Sequence, residues 1–166
     1  TSPFLHGDAA HLWGNMIFLW VFGSVLETRI KPARFLLFYL FSIVAATLFV
    51  ICLLCARVGL GGLMSALGDF HSLGASGAIS GIMGAFAVRC FFTRLSITLP
   101  LLGLPIVAVP LKVQATVLIA LFFAKDIAGS VNQFHGPGEI NYWAHVGGYI
   151  GAMCLAYALG LQKEAA

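Results

Sequence analysis

Charge is what this chain has least of. Only 9% of its 166 residues are Asp, Glu, Lys or Arg, against 60% hydrophobic residues, and the mean hydropathy is +0.98. Soluble domains carry roughly a quarter charged residues, so that class is excluded and the lipid bilayer is the expected surrounding. The net charge of +3 is spread along the chain, with no basic cluster to hold nucleic acid. Cysteine is equally unhelpful. Cys52, Cys55, Cys90 and Cys154 make no disulfide framework. The CxxC of Cys52 and Cys55 lies in an apolar run without a second pair, so apolar packing is its default reading. His6, His71 and His135 fall outside the apolar runs, and no HExxH or regular ligand spacing occurs. No metal and no cofactor is therefore expected. No pair of carboxylates lies within the spans, which excludes an aspartyl membrane protease. A transporter would bring charged residues within the spans and inverted repeats, and neither is found.

Apolar runs of about 20 residues are what a membrane helix needs, and five candidates follow. They cover about Ala9 to Leu26, Phe35 to Ala56, Ser76 to Phe92, Pro110 to Ala128 and Tyr142 to Leu161. Between the third and fourth, Pro100, Pro105 and Pro110 predict an interfacial loop over 97–111. The chain opens on "TSPFLHGDAAH" without an initial Met, and the expectation is a fragment of a longer protein.

The cations orient the spans. Arg29, Lys31, Arg34, Arg89, Arg94, Lys112 and Lys163 fall on one side if the spans alternate, leaving Arg57 and Lys125 on the other. The start of span one is then outside and the C-terminus cytoplasmic. Span three is short: its residues from Ser76 to Phe92 rise roughly 25 Å, less than the ~30 Å hydrocarbon core. Anchored at its basic end, it starts below the outer surface. The preceding "RVGLGGLMSALGDFHSLGA" is Gly-rich and polar enough to line a watery cavity there.

Four polar residues stand in these apolar surroundings: His11, Asn15, Ser76 and His145. Each alone has a plain reading as packing or polar glue. His11 and Asn15, four apart, share a helix face. Gly77 and Gly81 share another, as do Gly147 and Gly151, with Gly148 and Ala152 in a neighbouring row. These small residues are expected to bring spans three and five together, and Ser76 and His145 with them. All four polar residues fall in the outer half of the bilayer. Their coincidence outweighs the separate plain readings, since an ionisable group within a membrane span is by default a functional hypothesis.

The stretches "FLHGDAAHLWGNMIFLWVFGSVLE", "GASGAISGIMGA" and "WAHVGGYIGA" resemble the HxxxN helix, GxSG motif and AHxxG helix of the rhomboid family of intramembrane serine proteases. The resemblance implies an all-α polytopic membrane helix bundle, with these five spans matching the second to sixth helices of a six-helix core. It makes residues 1–166 one domain lacking the first core helix. It implies Ser76 as nucleophile and His145 as general base, with His11, Asn15 and the Ser76 N–H as oxyanion donors. Gly74 matches the first glycine of the motif. Some relatives carry a Tyr four residues after the nucleophile, packed on the catalytic His; here that residue is Ser80. With no membrane acid expected as a third member, the site is read as a Ser–His dyad. The implied partners are single-span membrane proteins and the bilayer, with no nucleic acid and no metal. The expected location is a bacterial cell membrane, with the site facing outward. The competing reading is a catalytically inactive rhomboid-like protein that binds membrane helices, and retention of both Ser76 and His145 argues against it.

Overall fold

The computed structural model describes residues 9–69, 75–101, 104–133 and 141–163. The first span is one continuous helical run: α1 (Ala9–Phe18), a π-helical turn (Leu19–Gly23) and α2 (Ser24–Ile30). A single residue, Lys31 with φ 73°, reverses the chain. Pro32 then opens α3 (Pro32–Asp69), at the first helical position where its missing N–H costs nothing. The remaining helices are α4 (Ala75–Arg89), α5 (Ala115–Asn132) and α6 (Tyr142–Ala158), followed by a 3-10 turn at Leu161–Lys163. The fold is an all-α helix bundle of membrane type. Pro32–Gly62 and Ala115–Asn132 are each long and apolar enough to cross a bilayer alone.

Helix α4 sits at the centre. It is apolar on every side, and nearly all of it is buried, as a helix without a polar face requires. Helix α3 shows how one face is chosen. Phe38, Ser42, Ala46 and Val50, four apart, are buried, whereas Leu36, Leu40, Val44 and Leu48 on another face are more than half exposed. The first row meets protein and the second is suited to lipid. Phe22, Leu26, Phe38, Ile82, Phe86 and Tyr149 make the largest part of the core.

Three expectations change. Residues 57–69 are helical within α3, broken only where Gly59 takes φ 68°, ψ 171°, a conformation essentially confined to glycine. The described part of the segment expected to line a cavity is therefore a helix. Residues 97–111 are not an irregular loop. Outside the undescribed 102–103, they lie in an antiparallel hairpin of β1 (Arg94–Leu101) and β2 (Leu104–Gln114), with Thr98 opposite Pro110 and Ser96 opposite Lys112. In a two-stranded sheet both strands are edges, so proline is tolerated there. Because β2 takes up Pro110, the fourth span starts at Ala115 and runs on to Asn132.

Candidate active site

Ser76 is the second residue of α4. Its N–H is among the first four of the helix, which have no intrahelical acceptor and carry the positive end of the helix dipole. Ser76 is half-buried and borders a cavity of about 180 Å³. His11, Asn15, Asp126 and His145 border the same cavity, so the four residues singled out in the sequence come together. Gly74, His6, His71 and His135 lie outside the described residues.

His145 is held from three directions. Asn141 caps α6, its Oδ1 accepting from the Ala144 N–H at 3.0 Å, which sets His145 one turn inside the helix. The Tyr142 ring stands edge-on to the imidazole, centroids 6.0 Å apart. The imidazole Nδ1 lies 3.1 Å from Asp126 Oδ2. Its Nε2 is buried and has no hydrogen-bond partner among the described residues.

Asp126 corrects the expectation that no acid is available in the membrane spans. It lies in α5, is 4% exposed, and its neighbour Lys125 approaches Oδ1 at 3.4 Å. In the sequence, Lys125 and Asp126 pass for the solvated outer end of span four. The helix continues past them to Asn132, so Asp126 lies within it, on a face that is turned inward. The signal was present: an acid inside a helix whose preceding residues, 115–124, are almost all apolar.

On the first span, His11, Asn15 and Phe18 border the cavity, while Trp13, Met16, Ile17 and Trp20 are exposed. Asn15 is 8% exposed, and its Nδ2 is buried without a partner among the described residues. Phe18 meets Phe122 of α5 edge-on, centroids 4.7 Å apart. Ser80, one turn into α4 from Ser76, is buried on the cavity wall beside Tyr149.

The glycine rows divide differently from expectation. A Cβ on Gly148 would collide with the Gly77 carbonyl, and one on Gly77 would lie 3.4 Å from the Ala144 carbonyl. Gly77 and Gly148 therefore form the α4–α6 seam. Gly147 and Gly151 face α3 instead: a Cβ there would stand 2.5 Å from the Cβ atoms of Phe49 and Ala45. Helix α6 is thus in close contact with two helices at once, on adjacent faces.

A hydroxyl at a helix start, an imidazole nitrogen with its lone pair uncommitted and an amide donor around one hollow are the groups that hydroxyl-centred acyl transfer uses. The comparisons with known proteins bear on the family. The family model for the Rhomboid domain matches residues 1–162. The chain is 31% identical over 148 residues to "Rhomboid protein 1, mitochondrial" of Saccharomyces cerevisiae, covering 89% of this chain and 37% of that protein. It is 29% identical over 168 residues to "Rhomboid protease GluP" of Bacillus subtilis, covering 100% of this chain and 26% of that protein. The chain thus spans about a quarter to a third of the length of these curated relatives. No solved structure matches it. A family match over nearly the full length, on a bundle with these apolar helices, means that the chain is an integral membrane protein and belongs to the rhomboid family.

Proposed function

We propose that this chain is the membrane core of an intramembrane serine endopeptidase, with Ser76 as nucleophile and His145 as its general base. One observation carries the reading. Asn15 and His145 border the cavity that Ser76 borders, and Asn15 Nδ2 and His145 Nε2 are buried and without a partner among the described residues. Buried polar atoms are nearly always hydrogen-bonded, because leaving one unpaired costs about 1–3 kcal/mol. Asn15 Nδ2 fits a donor whose acceptor arrives with the substrate. His145 Nε2, not hydrogen-bonded to the Ser76 hydroxyl in this structure, fits a base left open to take its proton.

In this mechanism Nε2 takes the Ser76 proton as Oγ attacks the peptide carbonyl. The electron pair displaced onto the carbonyl oxygen is met by Asn15 Nδ2–H, His11 and the N–H of Ser76. The imidazolium then protonates the leaving amine as the C–N bond breaks. Water repeats the sequence on the acyl-enzyme and returns Ser76 to its starting state. Donors of this kind are most effective where water is scarce and they are already in place.

The substrate must offer an open peptide carbonyl. A membrane helix keeps its carbonyls in i→i−4 hydrogen bonds, so a substrate has to unwind near its end. Single-span proteins with Gly, Pro or small residues at the outer membrane face meet that demand. The cation distribution supports a site facing outward from a bacterial cell membrane; of the two relatives, one is bacterial and one mitochondrial. The test is cleavage of a single-span reporter co-reconstituted in liposomes. Ser76→Ala should abolish turnover without altering membrane insertion. Turnover retained by Ser76→Ala would move the nucleophile elsewhere, with Ser80, which also lines the cavity, the next candidate.

A further inference from the structure

A carboxylate buried in a membrane helix is costly unless something pairs with it. Among the residues whose burial is described, Asp126 is the one acid in that position, at 4% exposed. Its Oδ2 faces His145 Nδ1 at 3.1 Å, and Lys125 Nζ is 3.4 Å from Oδ1. Lys125 itself is largely exposed and lies over the Tyr142 ring, 5.4 Å from the centroid. The imidazole is the buried partner, and it is on the cavity.

A carboxylate is an acceptor only, so a hydrogen bond across this 3.1 Å contact has its proton on Nδ1. A neutral imidazole with its proton on Nδ1 has its lone pair on Nε2. That is the nitrogen left without a partner among the described residues. The choice of tautomer therefore follows from one contact between α5 and α6, which also directs the ring together with the Tyr142 side chain.

We propose that Asp126 is a positioning residue: it holds His145 in the tautomer and orientation in which Nε2 can receive the Ser76 proton. The proposal rests on the Ser76–His145 reading above and adds a third member to it. The proton that moves is the hydroxyl proton of Ser76, which goes to Nε2 and then to the leaving amine. The Nδ1 proton stays where it is throughout, and Asp126 remains a carboxylate whose charge opposes the imidazolium. In this chain the carboxylate supplies the orientation that an aromatic residue at the place of Ser80 could have supplied by packing.

The test uses Asp126→Asn, which keeps size and hydrogen-bonding capacity. The amide can donate to Nδ1 and so favours the opposite tautomer, with the proton on Nε2. Cleavage of the reporter should fall by about 10²–10⁴-fold in kcat, with KM little changed; loss of the equivalent group in the worked serine-protease template costs ~10⁴. Nitrogen-15 NMR of histidine-labelled protein in detergent should show the His145 proton on Nδ1 in the wild type and on Nε2 in Asp126→Asn. Asp126→Glu, which keeps the carboxylate, should recover part of the rate. A purely structural role would lower thermal stability in both variants without moving the tautomer. Wild-type kcat in Asp126→Asn, or an unchanged tautomer, overturns the proposal. If Ser76→Ala and His145→Ala are inactive at the same time, the nucleophile and base stand without it. Turnover by Ser76→Ala overturns both readings.

Discussion

Helix α6 touches its neighbours in two different ways. Toward α4 and α3 the contact is backbone against backbone or against Cβ atoms, with the Gly77 carbonyl filling the space beside Gly148 and Ala45 the space beside Gly151. Toward α5, and between α5 and the first span, the contacts are made by rings, with the Tyr142 ring lying against the α5 backbone at Gly129. Phe123 meets Tyr149 with centroids 5.0 Å apart, and Phe18 meets Phe122. The two sides of the cavity are therefore built to different tolerances. Rings can rotate or slide to fill a gap, whereas two packed backbones cannot adjust without separating. Small residues are what allow such approach in a membrane, where apolar side chains gain little by leaving lipid. Ser76 and His145 stand on the unyielding side. Asn15 and Asp126 stand on the adjustable side.

The largest combined effect, on stability and rate together, is expected at the seam. Gly148→Val would put a branched side chain where the Gly77 carbonyl lies, forcing α4 and α6 apart. Overpacking of this kind costs about 1–3 kcal/mol, and a displacement of ~1 Å between reacting groups can cost on the order of 10²-fold in rate. Thermal unfolding in detergent and reporter cleavage should both drop. Wild-type values for both would show that something other than the seam positions His145.

An intermediate effect is expected from Asn15→Ala. Its Nδ2 has no partner in the described structure to lose, so stability should change little. If it serves charge that develops in the transition state, kcat should fall by about 10²–10³-fold with KM unchanged. A rise in KM at constant kcat would make Asn15 a substrate contact instead.

Phe122→Ala should do least. An aromatic pair is worth about 0.5–1.5 kcal/mol beyond its burial, and lipid can occupy the space released. A small fall in unfolding temperature with cleavage retained is the expected outcome. Unfolding as severe as that of Gly148→Val would erase the distinction between the two sides.

Most of the bundle was legible because membrane helices announce themselves by apolar length alone. Ser76, His145, His11 and Asn15 could be chosen because a polar group in such a run must have a reason to be there. Asp126 obeyed the same rule and was missed. It lies beside Lys125 near the end of its run, and only the packing of α5 against α6 shows it buried and facing His145. The hairpin over 94–114 was hidden for a different cause. Three prolines argue against a helix, but pairing between two edge strands depends on a partner segment and leaves no local periodicity in such an apolar stretch. The glycine rows identified α6 as a close-packed helix. Which row faced α4 and which faced α3 is decided by helix rotation, and the spacing of glycines within one helix carries no information about that.

The central claim is that Ser76 is made nucleophilic by His145, and one measurement addresses it directly. The chain in detergent is treated with a fluorophosphonate, digested, and the modified residue located by mass spectrometry. The account predicts a single adduct on Ser76 in the wild type, and none in Ser76→Ala or His145→Ala. An adduct on Ser80, or labelling of Ser76 that persists at the wild-type rate in His145→Ala, would contradict it.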